Sequence, residues 1–295
     1  DGKAIYVFLA KSGMAAFDLK GKKLWQTSVG SSSSRKRWGS SSSPIIHGDL
    51  VFINALQEGH KIFALNKADG KIAWQWGPDA YSSYQDAYGT PSLVKAKNGV
   101  ELVLAVPGEI WSFDAKKGNI TWYAYTNVGA GRGNVSPSTI TGGDALYIFG
   151  GRPGSGLAVK LGGNGEVKES GKLWTSRNSP YVATPVYHEG HLYWMDRSGY
   201  AVCLNASTGR EAFRERLKSS SRTPQFYASP VIVDGKIISV SRNAGAFVLE
   251  AKPKFKQLAQ NTFASDRSVF NASPAVSNNR LFLRSDTHLY CVAGE

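Results

Sequence analysis

The sequence predicts an all-β chain, a β-propeller of four-stranded antiparallel blades, and three observations carry that expectation. Its 295 residues include 32 glycines and 12 prolines. Short alternating or apolar runs bounded by Gly, Asp, Asn and Pro recur throughout, and no window sustains a helical period with caps. One turn is written four times, as "AFDLKGKKLW" at 16–25, "ALNKADGKIAW" at 64–74, "SFDAKKGNITW" at 112–122 and "CLNASTGREAF" at 203–213. Each copy carries a large aromatic four residues after its glycine. Ser/Thr-Pro followed by apolar residues and a turn returns at Pro44, Pro91, Pro137, Pro185, Pro230 and Pro274, a step of 44 to 48 residues. Repetition at such a period marks an architecture of stacked supersecondary units.

Within each unit four strands are expected. Strand A follows the proline, which at the first residue of a strand removes no ladder donor. Strand B follows a tight turn such as Asp234-Gly235. Strand C is the "FALN" or "VCLN" run, and strand D ends in Trp25, Trp74, Trp122, Trp174 or Phe213. Gly21, Gly70, Gly118 and Gly209 are expected to supply positive φ in the C-to-D turn. Asp18, Asn66, Asp114 and Asn205 are placed to close it through their side chains. The aromatic then packs between neighbouring blades.

Three units depart from the pattern. The one from Pro137 carries "GGRPGSG" and a long Gly-rich stretch before Trp174, and the one from Pro230 has "EAKPKFKQLA" with no aromatic after a turn glycine. The last ends at "LYCVAGE" without strand D. "DGKAIYV" at the start matches "DGKIISV" at 234–240, so the chain opens inside a repeat. Seven repeats are visible, two incomplete, which makes seven or eight blades in one domain over residues 1–295. Closing such a ring takes an outer strand for the last unit, most simply from chain upstream of Asp1, because an open edge invites pairing.

The net charge of +13 favours acidic partners: an acidic protein face, a polyanionic glycan, nucleic acid or an anionic membrane surface. No apolar run approaches the ~18 residues of a spanning helix. The opening "DGKAIYVF" lacks the pattern of a signal peptide, so a leader is expected to have been removed or to lie upstream. Cys203 and Cys291 have no zinc or redox spacing. They share a register of strand C filled by Ala16, Ala64 and Ser112 elsewhere, and are expected at a small, buried position.

Ser/Thr-Pro strands alternating with A-x-[DN]-x-x-[TD]-G-[KR]-x-x-W resemble the PQQ-like repeat of the quinoprotein-dehydrogenase-like propellers, over nearly the whole chain. Two branches follow from that resemblance. Its enzymes oxidise alcohols with PQQ and calcium, and carry an adjacent cysteine pair over the cofactor that is missing here. Its non-enzymatic members, such as the lipoprotein of the outer-membrane barrel-assembly machinery, are periplasmic scaffolds that bind partner proteins through loops on one face. Similar unit lengths occur in PQQ-like repeat proteins of planctomycete-type bacteria. The resemblance implies no cofactor, with PQQ and calcium disfavoured, and an exported, envelope location in a Gram-negative-type bacterium. Membrane association would come only through an upstream anchor or a partner.

Strand order sorts the loops. The A-to-B and C-to-D turns on one face are short and regular. On the other face, the B-to-C loops carry Glu109 and place Arg152, Arg197, Arg242 and Arg284 at or near one position in four consecutive units. Arg37, Trp38, Tyr84, Asp86, Arg132, Asn134, Tyr181, Tyr227 and Asn271 fall just before inner strands, where a central funnel would be rimmed. Guanidinium groups with stacking aromatics suit carboxylate, sulfate or phosphate, and Trp38 and Tyr84 would anchor an acidic protein surface. The structural alternative pairs these arginines with carbonyls, waters and acids such as Asp196 and Asp286. His188 and His191, in a turn on the plain face, read as solvated. Asp86 and Glu109 are candidate acid and base, although nothing in the sequence brings them together. The function expected is a non-catalytic scaffold holding an acidic ligand, an acidic protein surface or a polyanionic glycan. The alternatives are a PQQ oxidoreductase and a glycan-binding or glycan-active funnel. Nucleic acid is not expected, for want of a groove-reading element.

Overall fold

The structure, a computed structural model, describes residues 1–295 except 35, 80–82, 132, 151–153, 221, 264 and 295, and the backbone alone of Ser83. The fold is an all-β propeller of seven antiparallel sheets formed in sequence order. The first holds β1 (Ala4–Phe8), β2 (Met14–Asp18) and β3 (Lys23–Thr27); the second β4 (Ile45–His47), β5 (Leu50–Ala55), β6 (Lys61–Asn66) and β7 (Ile72–Trp76). The third holds β8 (Ser92–Ala96), β9 (Gly99–Val106), β10 (Glu109–Asp114) and β11 (Ile120–Tyr125). The fourth has β12 (Ile140–Gly142), β13 (Ala145–Gly150), β14 (Ser155–Lys160) and, after the short β15 (Gly165–Glu166), β16 (Lys172–Ser176). The fifth runs through β17 (Val186–His188), β18 (His191–Met195), β19 (Tyr200–Asn205) and β20 (Glu211–Arg216). The sixth runs through β21 (Val231–Val233), β22 (Lys236–Ser241), β23 (Gly245–Glu250) and β24 (Gln257–Asn261). The seventh has β25 (Ala275–Ser277), β26 (Arg280–Arg284) and β27 (Leu289–Ala293). As expected, the first and last sheets are the three-stranded ones. No helix among the described residues is long and apolar enough to cross a membrane.

Two compact units divide the chain. One comprises Asp1–Thr139, Ile148–Ser155 and Lys160–Lys172; the other Ile140–Tyr147, Gly156–Val159 and Leu173–Glu295. Each has its own core from the two middle strands of its sheets. Phe52, Trp111 and Phe113 are buried in the first, and Tyr193, Phe226 and Phe247 in the second.

The recurring turn has two functions. Gly70, Gly118 and Gly209 adopt φ of 71°, 76° and 68°. A Cβ on them would lie 2.5, 2.6 and 2.6 Å from Trp25, Trp74 and Trp174. Each turn glycine is therefore also the seat of the preceding sheet's indole. The indole N–H groups donate to Lys67 O at 2.8 Å, Ala115 O at 3.0 Å and Ala206 O at 2.8 Å. Burying a ring of ~150–250 Å² is worth roughly 4–6 kcal/mol gross, an upper bound, and the hydrogen bond adds about 1 kcal/mol. Asp18, Asp114 and Asn205 close the turn through their side chains as expected, with Asp114 Oδ1 accepting Lys116 N at 2.9 Å and Lys117 N at 2.8 Å; in the turn after Asn66 the acceptor is instead Asp69 Oδ1, taking Lys71 N at 3.0 Å.

Two departures in the repeat form one contact. Phe213 replaces the indole, the next turn lacks its glycine, and Phe213 meets Phe255 edge-on at 5.6 Å. The Gly-rich stretch before Trp174 also has a use. It places β15 parallel on β11, and Val167 N donates to Tyr123 O at 2.8 Å. Trp122 turns its N–H to the buried Glu101 in its own sheet, at 2.8 Å.

The Ser/Thr of the Ser/Thr-Pro element is an acceptor between sheets. Ser43 N donates to Thr90 Oγ1 at 2.9 Å and Thr90 N to Ser138 Oγ at 3.0 Å. In the second unit Thr184 N donates to Ser229 Oγ at 2.8 Å and Ser229 N to Ser273 Oγ at 2.9 Å. This corrects one register: Ser138, not Ser136 before Pro137, occupies the repeat position. A second correction concerns the cysteines. Cys203 is fully buried, but Cys291 is exposed, because β27 is the outermost strand of its sheet.

Candidate functional site

In the first unit the loops entering the inner strands are knitted together. Ala87 bridges Val135 in parallel, Tyr88 N donates to Val135 O at 2.7 Å, and Val135 N to Asp86 O at 3.0 Å. Lys36 reaches both loops: its Nζ lies 3.2 Å from Asp86 Oδ2 and donates to Gly133 O at 3.0 Å. The same ammonium lies 5.2 Å from the Trp38 ring centroid, and Trp38, itself 57% exposed, contacts Tyr88 at 5.4 Å. Arg37, the candidate that the sequence singles out here, is exposed in a left-handed turn with φ 52°. Asn134 is buried and donates to Ser136 Oγ at 2.6 Å.

The carboxylates of this unit are already engaged. Glu109 Oε1 accepts Tyr84 OH at 2.5 Å, and Oε2 accepts Trp111 Nε1 at 2.7 Å. Burial, then this carboxylate, pushes the Tyr84 hydroxyl up to about 12. Asp86 accepts Tyr88 OH at 3.3 Å besides its ion pair. Each acid is thus held in its own network, and Tyr84 is a braced residue rather than an exposed anchor. Glu58, absent from the sequence reading, is buried beside Ser40 Oγ, and burial raises its carboxyl.

The second unit is built differently. Two of its B-to-C arginines lie over the tyrosine that precedes their own sheet. The Arg197 guanidinium is 5.0 Å from the Tyr181 centroid, and that of Arg242 is 4.3 Å from Tyr227. Tyr181 and Tyr227 meet edge-to-face at 6.0 Å. Tyr181 holds φ 68°, a backbone conformation costly for a bulky side chain and concentrated at functional sites. Arg242 also donates Nε–H to Asn271 Oδ1 at 2.8 Å. Asp196, next to Arg197 in sequence, faces the other way and takes Arg214 at 2.8 Å. Among the described residues Arg197, Arg242 and Arg284 have no carboxylate at ion-pair distance. Arg284, at the end of β26, is exposed. Arg132 and Arg152 lie outside the described residues.

Arg222, between β20 and β21, and Arg267, between β24 and β25, line a cavity of 570 Å³ with Arg242. Recurrence pointed to Arg242 because it repeats from unit to unit, whereas Arg222 and Arg267 occur once each. His191 Nδ1 lies 2.9 Å from Glu189 O in its turn, apart from these groups.

PQQ with calcium would need a convergent donor set. No three His, Cys, Asp or Glu among the described residues are grouped to hold a metal, and Cys203 and Cys291 belong to different sheets.

Comparison with known proteins places this geometry. The BamB of Salmonella typhimurium, an outer membrane protein assembly factor, is 25% identical over 209 residues, 70% of this chain and 47% of the relative. The BamB of Burkholderia pseudomallei is 27% identical over 247 residues, 81% of this chain and 59% of the relative. The chain thus spans about half the length of the curated relatives it matches. The crystal structure of BamB from Moraxella catarrhalis shares the fold at a TM-score of 0.73 and 16% identity, covering 98% of this chain and 80% of that one. A family model described as outer membrane protein assembly factor BamB matches residues 10–179 and 163–253, most of the chain, and to that family of PQQ-like propellers the chain belongs.

Proposed function

We propose that this chain is a non-catalytic scaffold propeller, acting as one domain over residues 1–295, that holds an acidic protein partner during outer-membrane assembly in the envelope of a Gram-negative-type bacterium. The relatives' role supports a protein partner. One observation carries the choice of surface: Arg197 and Arg242 are held over tyrosine faces with no carboxylate at ion-pair distance among the described residues. A stacked guanidinium keeps its donors in a fixed plane, so less freedom is lost when a carboxylate docks. The reading calls for neither PQQ nor calcium, and for membrane association only through an anchor or the partner.

Immobilised chain should retain an outer-membrane assembly component from solubilised envelopes, identified by mass spectrometry. The Arg197→Glu, Arg242→Glu double variant, with its fold verified by circular dichroism, should weaken that binding at least about tenfold. Equal retention by the variant would remove this surface from the role. Dye-linked alcohol oxidation with added PQQ and calcium should stay at background.

A further inference from the structure

We infer that the cavity where the β22–β23 loop meets the β20–β21 and β24–β25 segments binds a carboxylate-bearing peptide, with an acidic side chain next to an apolar one. The inference rests on the scaffold reading and names what part of a partner enters. The cavity measures 570 Å³ and lies wholly in the second unit. Three arginines line it, Arg222, Arg242 and Arg267. Arg222 and Arg267 are exposed and Arg242 is half-buried, fixed by Tyr227 and Asn271. None of the three has a carboxylate at ion-pair distance among the described residues.

One acid does line the cavity, and its capacity is taken. Asp266 accepts Ser268 Oγ at 2.6 Å, Ser268 N at 2.9 Å and Tyr290 OH at 2.8 Å, with His288 Nδ1 at 3.4 Å. Its side chain is 2% exposed. Its charge is therefore turned into the protein, and the arginines present their donors to an outside anion. The rest of the wall combines polar Asn243, Thr262 and Ser268 with an apolar patch. Phe263 stacks on the buried Phe270 at 4.9 Å, with Val269 beside them. A guanidinium fork matches a carboxylate bidentately, and the phenylalanines reward an apolar side chain taken from water. Inorganic phosphate or a polyuronic glycan uses the first feature and leaves the second idle. An acidic and apolar peptide uses both.

The test is calorimetric titration of the full chain with a capped hexapeptide alternating glutamate and phenylalanine. Saturable binding is expected, at least about tenfold weaker for the Arg222→Ala, Arg267→Ala variant, and similarly weakened when glutamine replaces glutamate or serine replaces phenylalanine in the peptide. Absence of saturation up to about 1 mM overturns the inference, as does binding indifferent to both arginines. Phosphate displacing the peptide at equal concentration overturns it too, by showing a plain anion site. If the peptide fails while envelope-protein retention remains sensitive to Arg197 and Arg242, only the cavity assignment falls; if both fail, the scaffold reading falls with it.

Discussion

In the first unit Lys36 sits between two loops with its charge closed on Asp86 at 3.2 Å, and Glu109 holds Tyr84 and Trp111 through both oxygens. In the second unit, loops of the same repeat place Arg197 and Arg242 over tyrosine rings, with no carboxylate at ion-pair distance among the described residues. One scaffold thus uses loops of the same repeat for internal bracing in one half and for open cationic surface in the other. Charge counts alone do not distinguish the two uses; the presence of a carboxylate partner does.

Breaking the brace should have the largest effect. Glu109→Ala leaves the Trp111 indole N–H and the Tyr84 hydroxyl without their acceptor and should cost about 3 kcal/mol in urea denaturation. Glu109→Gln should cost about 1 kcal/mol and bring the Tyr84 hydroxyl down from about 12, followed by ultraviolet pH titration. A cost below about 0.5 kcal/mol for Glu109→Ala would show that the network does not brace this half.

Comparing single cations sharpens the contrast. Lys36→Ala leaves the largely buried Asp86 carboxylate without its cation and should cost about 1–2 kcal/mol. Arg197→Ala forfeits a cation–π contact worth about 0.5–1 kcal/mol and no ion pair. Equal losses in parallel denaturation curves would erase the distinction between the halves.

The smallest effect concerns Asp266. Hydrogen bonds from Ser268, then Ser285, hold its carboxyl well below the usual carboxylate range. Its contribution is therefore present above the pH where the unfolded carboxyl titrates, about 3.9, and is lost as pH falls through the folded value. Asp266→Asn should lower Tm slightly at neutral pH, and the gap to wild type should narrow in acid. A gap that is constant with pH would mean the carboxylate charge plays no part.

Periodicity made the blades legible: the glycine-to-aromatic spacing marked the C-to-D turns, and Ser/Thr-Pro marked most inner strands. It did not reveal that the turn glycine seats a neighbour's indole, because the two residues are some 45 positions apart in the chain (Trp25 and Gly70). Ser136-Pro137 misled the register because the neighbouring Ser138 satisfies the same hydroxyl role without a following proline. At the candidate site the arginine positions were readable from recurrence. Their partners were not: Asp196 adjoins Arg197 in sequence yet pairs with Arg214 across two strands. Cys291 shares its register with Cys203, but burial depends on what lies over a strand, and register carries no such information.

The short parallel strand β15 also bears on how the molecule avoids its own kind. A row of bare amides and carbonyls along a sheet margin can template growth by any strand of similar length. On β11 that row is covered from within, by Gly165–Glu166 and the Val167 amide. The margin of β20 instead carries exposed Glu211, Arg214, Glu215 and Arg216, a mixed-charge fringe that disfavours an identical strand laid alongside. Polymerisation through sheet margins is thereby resisted by a backbone plug in one blade and by solvated charge in another.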